Sequence, residues 1–224
     1  MNYKVSVIMS VKDGEAYLEK SIESILNQSY KNLEFLICDD GSSDSTFEIC
    51  NRYANSDKRI KIIKNNKSIG LTKSLNKLIK LTTGSIIARQ DADDVSDLTR
   101  IAKQMKFYKM GKEIITSRSY IIGSKKIKPR ISYLIPKKIM IRKKNTFVHG
   151  TLLIKKQILI DIGCYDEEFY YAQDYKLFSD LLFKGYKIKT ISKPLYFVRN
   201  EGNISTTKTE EQSFYADLVR KSQN

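Results

Sequence analysis

Three carboxylates lie within four residues in the middle of the chain, in the motif Asp91-Ala92-Asp93-Asp94, directly after an apolar run that ends near residue 90. Carboxylates this close repel one another unless a cation or a hydrogen-bond donor neutralises them. Hard oxygen ligands of this kind suit Mg²⁺ or Mn²⁺, and a diphosphate would complete the coordination shell. A solvated turn that caps the next helix would use the same residue types. The cluster alone therefore leaves both interpretations open.

A second acidic cluster follows an earlier apolar run over residues 33–38. Its residues are Asp39-Asp40-Gly41-Ser42-Ser43-Asp44. The last of them can cap a helix over residues 46–55. In a parallel sheet, ligands bind beyond the carboxyl ends of the strands. Because both clusters follow predicted strands, we expect them to face the same crevice.

The elements that must position these clusters alternate between strand and helix. Residues 4–11 form an almost continuously apolar run rich in β-branched residues, which suits a strand covered on both faces. Helical spacing of apolar residues follows over about 17–26. The next predicted elements, alternately strand and helix, span 33–38, 46–55, 60–64, 71–81 and 85–89. This alternation predicts a parallel sheet flanked by helices, and therefore an α/β fold.

The second half of the chain is less regular. Its predicted elements are a helix at 97–110, strands at 114–123 and 147–155, a loop at 161–169, a helix at 174–183, short strands at 188–191 and 195–199, and a helix in the polar tail. A chain of 224 residues can bury one substantial core, and no low-complexity linker divides it. We therefore expect a single domain.

The chain carries a formal net charge of +15, with the excess concentrated in residues 125–144, here called the basic segment. Long-range electrostatics would attract phosphates, nucleic acid or an anionic lipid surface to it. Charge alone does not choose among these partners, and a merely solvated surface is equally compatible. Attachment to an anionic membrane is the alternative that would suit an acceptor carried on a lipid.

Other features exclude several classes of protein. No apolar stretch reaches the roughly 18 residues of a membrane span, and the first residues lack the pattern of a signal peptide, so we expect a cytoplasmic protein. Cys38, Cys50 and Cys164 lie far apart, and with a single histidine a zinc site is not expected. These cysteines are therefore predicted to be free thiols. The turn after the first strand lacks the GxGxxG spacing of a dinucleotide-binding oxidoreductase.

Several motifs together resemble the inverting glycosyltransferases of family 2, in particular the enzymes of bacterial surface-polysaccharide synthesis. In chain order the first four are Val5-Ser6-Val7-Ile8-Met9-Ser10-Val11, Ser24-Ile25-Leu26-Asn27-Gln28-Ser29-Tyr30, Asp39-Asp40-Gly41-Ser42-Ser43-Asp44 and Ala88-Arg89-Gln90-Asp91-Ala92-Asp93-Asp94. The similarity resumes at His149-Gly150-Thr151, Gly163-Cys164-Tyr165-Asp166-Glu167, Gln173-Asp174-Tyr175-Lys176-Leu177 and residues 194–205. Each motif is weak alone, but the ordered set spans nearly the whole chain.

The resemblance implies a GT-A fold, with a Rossmann-like, mostly parallel central sheet and a smaller acceptor-side subregion. Residues 1–95 would form the nucleotide-sugar-binding half, 96–205 the acceptor-binding half and 206–224 a C-terminal tail. The implied reaction moves a hexose or N-acetylhexosamine from a UDP-sugar to a saccharide or lipid-linked saccharide in polysaccharide, capsule or lipooligosaccharide synthesis. The implied cofactor is Mn²⁺ or Mg²⁺. The implied location is the cytoplasm, including the inner face of the plasma membrane. Nucleic acid is not an expected partner.

The resemblance also assigns roles around the nucleotide. Asp40 would accept a hydrogen bond from uracil N3, Ser10 and Val11 would line the base with backbone groups, and Asp39 would orient the loop.

In the second acidic cluster, the resemblance places Asp93 on the metal that bridges the diphosphate. Asp91 would approach the ribose or the metal shell, and Asp94 would contact the sugar or cap the next helix. The metal would stabilise the charge on the departing diphosphate.

Asp174 matches the acid of the family's ED motif and is the implied catalytic base. It would take the proton of the acceptor hydroxyl as that oxygen attacks the anomeric carbon. The usual preceding glutamate is Gln173 here, which removes a charge but keeps hydrogen-bonding capacity. Without the motif, Asp174 could equally be the cap of the following helix.

Arg199 and Ser205 match residues near the family's active-site lid. Glu201 replaces a frequent histidine and could itself offer an oxygen to the cation. His149 would line the acceptor side, or it is a structural histidine. Because residues 173 and 201 depart from the family pattern, a protein that binds a sugar nucleotide without catalysing transfer is an alternative. The positive charge leaves a nucleic-acid-binding protein as a less favoured alternative, because the sequence contains no nucleic-acid-binding motif.

Overall fold

The apolar run near the N-terminus forms an interior strand of a parallel sheet. β1 (Val5–Val11) pairs in parallel with β2 (Leu33–Asp39) and with β4 (Ile86–Arg89), and β3 (Ile60–Lys64) pairs in parallel with the other side of β2. The side chains of β2 and β4 are buried throughout, since helices cover both faces of the sheet. The predicted parallel arrangement of these four strands is confirmed. This computed structural model describes residues 3–124, 126–130, 132–199 and 208–223.

The helices between these strands pack on opposite faces. α1 (Glu15–Leu26) and α2 (Thr46–Ser56) cover one face, and α3 (Leu71–Leu81) covers the other. α1 buries Leu18, Ile22 and Ile25, whose spacing places them on one side of the helix. Successive residues of β1 therefore serve two cores, because side chains of a strand alternate between its faces.

Beyond β4 the sheet continues with strands in both directions. The added strands are β5 (Val95–Ser96), β6 (Ile114–Ile121), β7 (Ile127–Lys128), β8 (Leu153–Lys155) and β9 (Ile188–Val198). The order is β3-β2-β1-β4-β8-β6-β9-β5, with β7 beside β6. Only the β6 and β9 pair is parallel among the added contacts of the described residues. The result is a mixed sheet flanked by helices, which confirms the predicted α/β class, although four of the eight strand pairings in the described ranges are antiparallel and the sheet is therefore not mostly parallel.

Five further helices complete the described part of the chain. They are α4 (Arg100–Lys109), α5 (Lys137–Ile141), α6 (Lys156–Asp161), α7 (Gln173–Phe183) and α8 (Thr209–Lys221). α4 joins the core of α1 and α2, whereas the other four contribute to the core of α3. None of the helices in the described ranges is long and apolar enough to span a membrane.

The structure departs from the predicted elements at several places, and the short elements β5, β7 and α5 were not predicted. The strand predicted at 147–155 is limited to β8, because residues His149–Thr151 form a 3-10 turn whose Gly150 carbonyl accepts a hydrogen bond from Arg100. The two strands predicted at 188–199 are one strand, β9, with register shifts against β6. α6 was not predicted, since its six residues are too few for a clear helical period. Cys38, Cys50 and Cys164 are free thiols, as predicted.

Candidate active site

The carboxyl ends of β2, β1 and β4 lie side by side and carry the residues predicted to bind a donor. β1 ends with the half-buried Ser10 and the buried Val11, whose carbonyl accepts a hydrogen bond from the Asp40 N–H at 2.8 Å. The Ile8 carbonyl of β1 accepts the Gln90 N–H at 3.1 Å on the other side. The fold thus brings both acidic clusters to one edge of the sheet.

Asp40 holds the loop between β3 and α3. Four groups of this loop and one of α3 donate to its carboxylate. The Oδ1 atom accepts Asn65 Nδ2 (2.8 Å), the Ile69 N–H (3.0 Å) and Ser74 Oγ of α3 (2.9 Å), and the Oδ2 atom accepts Ser68 Oγ (2.8 Å) and the Gly70 N–H (2.9 Å). Burial raises the pKa of Asp40, but these hydrogen bonds outweigh it and hold the pKa below its usual value. A carboxylate offers about four lone-pair positions, so uracil N3 would have to displace one of these donors. The contact of Asp40 with uracil stays a prediction.

We expect Asp40→Ala to lower the free energy of unfolding by about 3 kcal/mol, because it leaves buried donors without an acceptor. Urea unfolding followed by circular dichroism measures this change. Glu48→Ala, which removes an exposed carboxylate from α2, is the control and should unfold like the wild type. An Asp40→Ala protein of normal stability would contradict the assigned role in the loop.

Asp39 is fully buried at the end of β2. Its Oδ1 accepts the Ser42 N–H at 3.1 Å, and no donor among the described residues reaches its Oδ2. The turn that follows is tied to the start of α1, where the Gly14 N–H donates to Thr46 Oγ1 and the Glu15 N–H donates to Asp44 Oδ2. These bonds fix the shape of the 39–46 turn against the end of β1.

Asp91 is paired with Arg89, for which the sequence motifs predicted no role. The fully buried guanidinium of Arg89 forms an ion pair with the Asp91 carboxylate. Burial disfavours the charge of Arg89, but Asp91 outweighs this effect and the pKa of Arg89 is raised. An arginine at the end of a buried strand, next to an acidic cluster, was the available signal. Arg89 supplies part of the compensating charge that the cluster requires.

Asp93 and Asp94 remain short of positive charge. Burial, followed by the negative charge of Asp91, raises the pKa of Asp93 to about 6. The same two causes raise the pKa of Asp94 well above its usual range. Asp94 is buried, and its Oδ1 accepts the Arg199 N–H at 2.7 Å. Excess negative charge at the mouth of a crevice is relieved by a bound cation.

The carboxylates fit a divalent cation that is shared with a ligand. Among the residues described here, no three His, Cys, Asp or Glu side chains form a ready metal centre. Mg²⁺, however, is commonly held by one or two carboxylates together with phosphate oxygens, and Mn²⁺ prefers similar oxygen ligands. Asp93, with Asp91 beside it, supplies that number of carboxylates.

The acidic turn rests on a buried polar network. Gln90 Nε2 donates to Ser21 Oγ and to the Asp94 carbonyl, both at 3.0 Å, and Gln90 Oε1 accepts Ser96 Oγ at 2.7 Å. The Asp91 N–H donates to Tyr196 Oη at 3.0 Å. These contacts hold the backbone of residues 91–94 from beneath. The bonds to Ser21 and Tyr196 join residues too distant in sequence to be predicted.

His149 is held in place through its Nε2 atom, and its position on the acceptor side stays a prediction. Its Nε2 lies 2.6 Å from Tyr165 Oη and 3.4 Å from Arg89 Nε. Because the guanidinium can only donate, Nε2 is the acceptor and the imidazole proton resides on Nδ1. Burial, with the charge of Arg89, lowers the pKa of His149 well below its usual value. The ring is therefore neutral.

Asp174 lies in the first turn of α7, opposite these groups. Its Oδ2 accepts Asn145 Nδ2 at 2.7 Å and its Oδ1 accepts the Tyr175 N–H at 2.8 Å. Burial raises the pKa of Asp174 to about 6 against the effect of the Tyr175 N–H, and the charge of Asp91 adds to the rise. The N-cap of α7 is Ala172, so Asp174 does not serve as the cap.

Two other predicted residues, Arg199 and Gln173, are among those that the structure describes. The Arg199 guanidinium stacks on Tyr17, 3.6 Å from its ring centroid. Gln173 is buried at the start of α7. Glu201 and Ser205 lie outside the described residues.

The chain is similar to known proteins in both sequence and structure. Residues 6–170 match the family model described as Glycosyl transferase family 2. EpsE of Bacillus subtilis is 33% identical over 206 residues, which cover 89% of this chain and 74% of EpsE. The Escherichia coli UDP-Glc:alpha-D-GlcNAc-diphosphoundecaprenol beta-1,3-glucosyltransferase WfaP is 30% identical over 228 residues, which cover 97% of this chain and 84% of WfaP.

Two solved structures share the fold at low sequence identity. Staphylococcus aureus TarS in complex with UDP-GlcNAc matches with a TM-score of 0.80 and 18% identity, over 96% of this chain and 65% of that chain. The mannosyltransferase PcManGT of Pyrobaculum calidifontis, in complex with GDP-Man and Mn²⁺, matches with a TM-score of 0.77 and 18% identity, over 96% and 64%. Both are glycosyltransferases of the GT-A fold. The chain therefore belongs to glycosyltransferase family 2 and has the GT-A fold.

Proposed function

We propose that this protein transfers a hexose or N-acetylhexosamine from a UDP-sugar to an acceptor hydroxyl, with inversion at the anomeric carbon, in surface-polysaccharide synthesis. The observation that carries the proposal is the pairing of two different carboxylate sites. One is the turn at Asp93, where the negative charge is only partly compensated. The other is Asp174, whose pKa is raised by burial and by the charge of Asp91. Perturbed carboxylates of distinct environment are typical of catalytic sites.

The donor half, residues 1–95, would hold the nucleotide sugar at the ends of β1, β2 and β4. Ser10, Val11 and Asp40 would line the base, and Asp93 with Asp91 would hold Mg²⁺ or Mn²⁺. The cation would supply stabilisation of the charge on the departing diphosphate. UDP is preferred because TarS is solved with UDP-GlcNAc and the name of WfaP specifies UDP-Glc. PcManGT, solved with GDP-Man, makes a guanosine nucleotide the competing donor.

Asp174 would remove the proton of the acceptor hydroxyl while that oxygen attacks the anomeric carbon opposite the leaving nucleotide. A pKa near 6 suits this task, because a general base works best when its pKa lies close to the operating pH. Asn145 would orient the carboxylate through its bond to Oδ2. Gln173, as a neutral neighbour, adds no repulsion to the ionised base.

The acceptor half, residues 96–205, would bind a saccharide or lipid-linked saccharide, with residues 206–224 as a tail. WfaP carries GlcNAc-diphosphoundecaprenol in its name, which supports a lipid-linked acceptor for this chain as well. The proposal includes a cytoplasmic location at the inner face of the plasma membrane. It also includes contact of residues 125–144 with anionic lipid.

Isothermal titration of UDP, GDP and CMP, with and without Mn²⁺, tests the donor site. We expect UDP to bind only with the metal, and Asp93→Asn to weaken this binding by about tenfold or more, since one of at most two carboxylate ligands is lost. Asp161→Asn, which neutralises an exposed carboxylate on α6, should bind UDP like the wild type. No binding of any nucleotide under any condition would contradict the proposed transfer.

A further inference from the structure

The proposed transfer reaction makes no use of the aliphatic side chains of the basic segment. In the structure this segment contributes β7, a 3-10 turn (Ser132–Leu134) and α5. Leu134 is 69% exposed, Ile139 is 55% exposed and Ile135 is 40% exposed. Three large apolar side chains within six residues therefore face solvent, which in water is unfavourable and marks an interaction site.

The stretch of sequence that carries these side chains is rich in positive charge. Residues 126–144 contain eight lysine and arginine residues and no aspartate or glutamate, namely Lys126, Lys128, Arg130, Lys137, Lys138, Arg142, Lys143 and Lys144. Burial lowers the pKa of Lys137, and the nearby positive charge of Lys189 lowers it further. An anionic partner would relieve this repulsion.

The fold presents this surface on a fixed base. Ile141 of α5 is buried in the core, and its carbonyl accepts Tyr175 Oη of α7 at 2.6 Å. Arg118 of β6 stacks on Tyr133 at 4.8 Å and donates through Nε to the Pro129 carbonyl at 2.9 Å. The exposed side chains thus project from an element that is anchored from beneath.

We propose that Leu134, Ile135 and Ile139 insert into the headgroup region of an anionic lipid bilayer, while the surrounding lysine and arginine side chains bind lipid phosphates. Exposed apolar side chains with several lysine and arginine residues before and after them in the sequence have the composition of an interfacial membrane anchor. Nucleic acid would use the cations but would leave the aliphatic side chains without a partner.

The position of this surface connects it to the candidate base. Asn145 follows the segment directly and donates to Asp174 Oδ2 at 2.7 Å. Residues 134–139, where the membrane would bind, are therefore joined by a few residues of chain to the contact that holds Asp174. The biological role of this surface rests on the proposed function, because a lipid-linked acceptor lies at a membrane. Binding of the protein to lipid does not itself depend on sugar transfer.

Sedimentation with vesicles tests the inference. The purified protein is mixed with vesicles of phosphatidylcholine alone or with added phosphatidylglycerol, and the bound fraction is measured. We expect binding only to the anionic vesicles, and we expect the double variant Leu134→Ser, Ile139→Ser to bind them about tenfold or more weakly. Ile160→Ser, which removes an aliphatic side chain 48% exposed on α6, is the matched control and should bind like the wild type.

Three results would overturn the inference. In the first, the wild type does not sediment with anionic vesicles. In the second, the double variant binds these vesicles as well as the wild type does. In the third, the double variant loses as much affinity for a DNA duplex as it loses for the vesicles. Circular dichroism should show unchanged melting of the variants, because the substituted side chains are exposed. UDP titration on the same protein separates failure at the membrane surface from failure of the donor site.

Discussion

Asp174→Asn should lower the rate of sugar transfer by about 10²- to 10⁴-fold, the usual contribution of a general base, while UDP binding stays unchanged. The amide keeps the size of the carboxylate but cannot take the acceptor's proton. Asp174 is placed for this role by the Asn145 side chain and the Tyr175 N–H, and both contacts are separate from the acidic turn at residues 91–94. Transfer from UDP-sugars in single turnover, with donor titration alongside, measures the two effects separately.

The pH dependence of transfer identifies the base independently. The pKa of Asp174 is raised to about 6, so the rate should fall as the pH drops below about 6 and the carboxylate gains a proton. Asn145→Ala removes a donor that favours the charged form, which should raise the pKa of Asp174 further. The acidic limb of its profile should therefore move to higher pH, whereas Asp174→Asn should lack this limb.

The outcomes of these experiments separate the alternatives. Full transfer by Asp174→Asn would place the base elsewhere. A product that retains the donor's anomeric configuration would exclude inversion. A wild-type protein that binds UDP-sugars and transfers none to a range of saccharide acceptors would favour the sugar-nucleotide-binding alternative raised by Gln173 and Glu201.

Gly150→Ala should destabilise the protein by about 3 kcal/mol, at the upper end of the cost of overpacking a core, and should also weaken donor binding. A Cβ atom at this position would lie 2.1 Å from Tyr196 Oη and 2.7 Å from Asp91 Oδ2. Tyr196 cannot retreat, because it is fully buried, bonded to the Asp91 N–H and covered by the Arg100 guanidinium at 5.4 Å. Relief of the clash must therefore shift the acidic turn.

Urea unfolding and UDP titration measure the two consequences of Gly150→Ala. Gly111→Ala is the control, since nothing lies within 4 Å of its added Cβ and only its positive φ of 80° opposes the substitution. We expect that variant to lose about 1 kcal/mol, as a left-handed residue does, and to bind UDP normally. Wild-type stability and binding in Gly150→Ala would show that the 149–151 turn moves freely.

The first half of the fold followed from the sequence because its signals are local. The apolar runs of β1, β2 and β4 are short and continuous, and Asp39 and Asp91 come at or just after the ends of strands. The location of both acidic clusters at the sheet edge could therefore be predicted without any contact information. The resemblance to family 2 added the roles of Asp93 and Asp174, which local patterns could not supply.

The rest depends on contacts between distant residues. Arg89 and His149 are 60 residues apart, and Asn145 and Asp174 are 29 apart, so no periodicity or spacing reveals them. The 3-10 turn at residues 149–151 interrupts a run that locally favours a strand, because Arg100 binds the Gly150 carbonyl. In each case tertiary hydrogen bonds decide the structure against the local preference.

The guanidinium of Arg89 beneath the acidic turn also bears on what happens between catalytic cycles. Arginine keeps its proton at any physiological pH, so its compensation of Asp91 is permanent, whereas the proposed cation, held in part by phosphate oxygens, would leave with the spent nucleotide. The empty enzyme therefore retains one fixed counter-charge under its carboxylates. The acidic turn would therefore keep its conformation after product release, and the next donor would bind without a rearrangement of the turn.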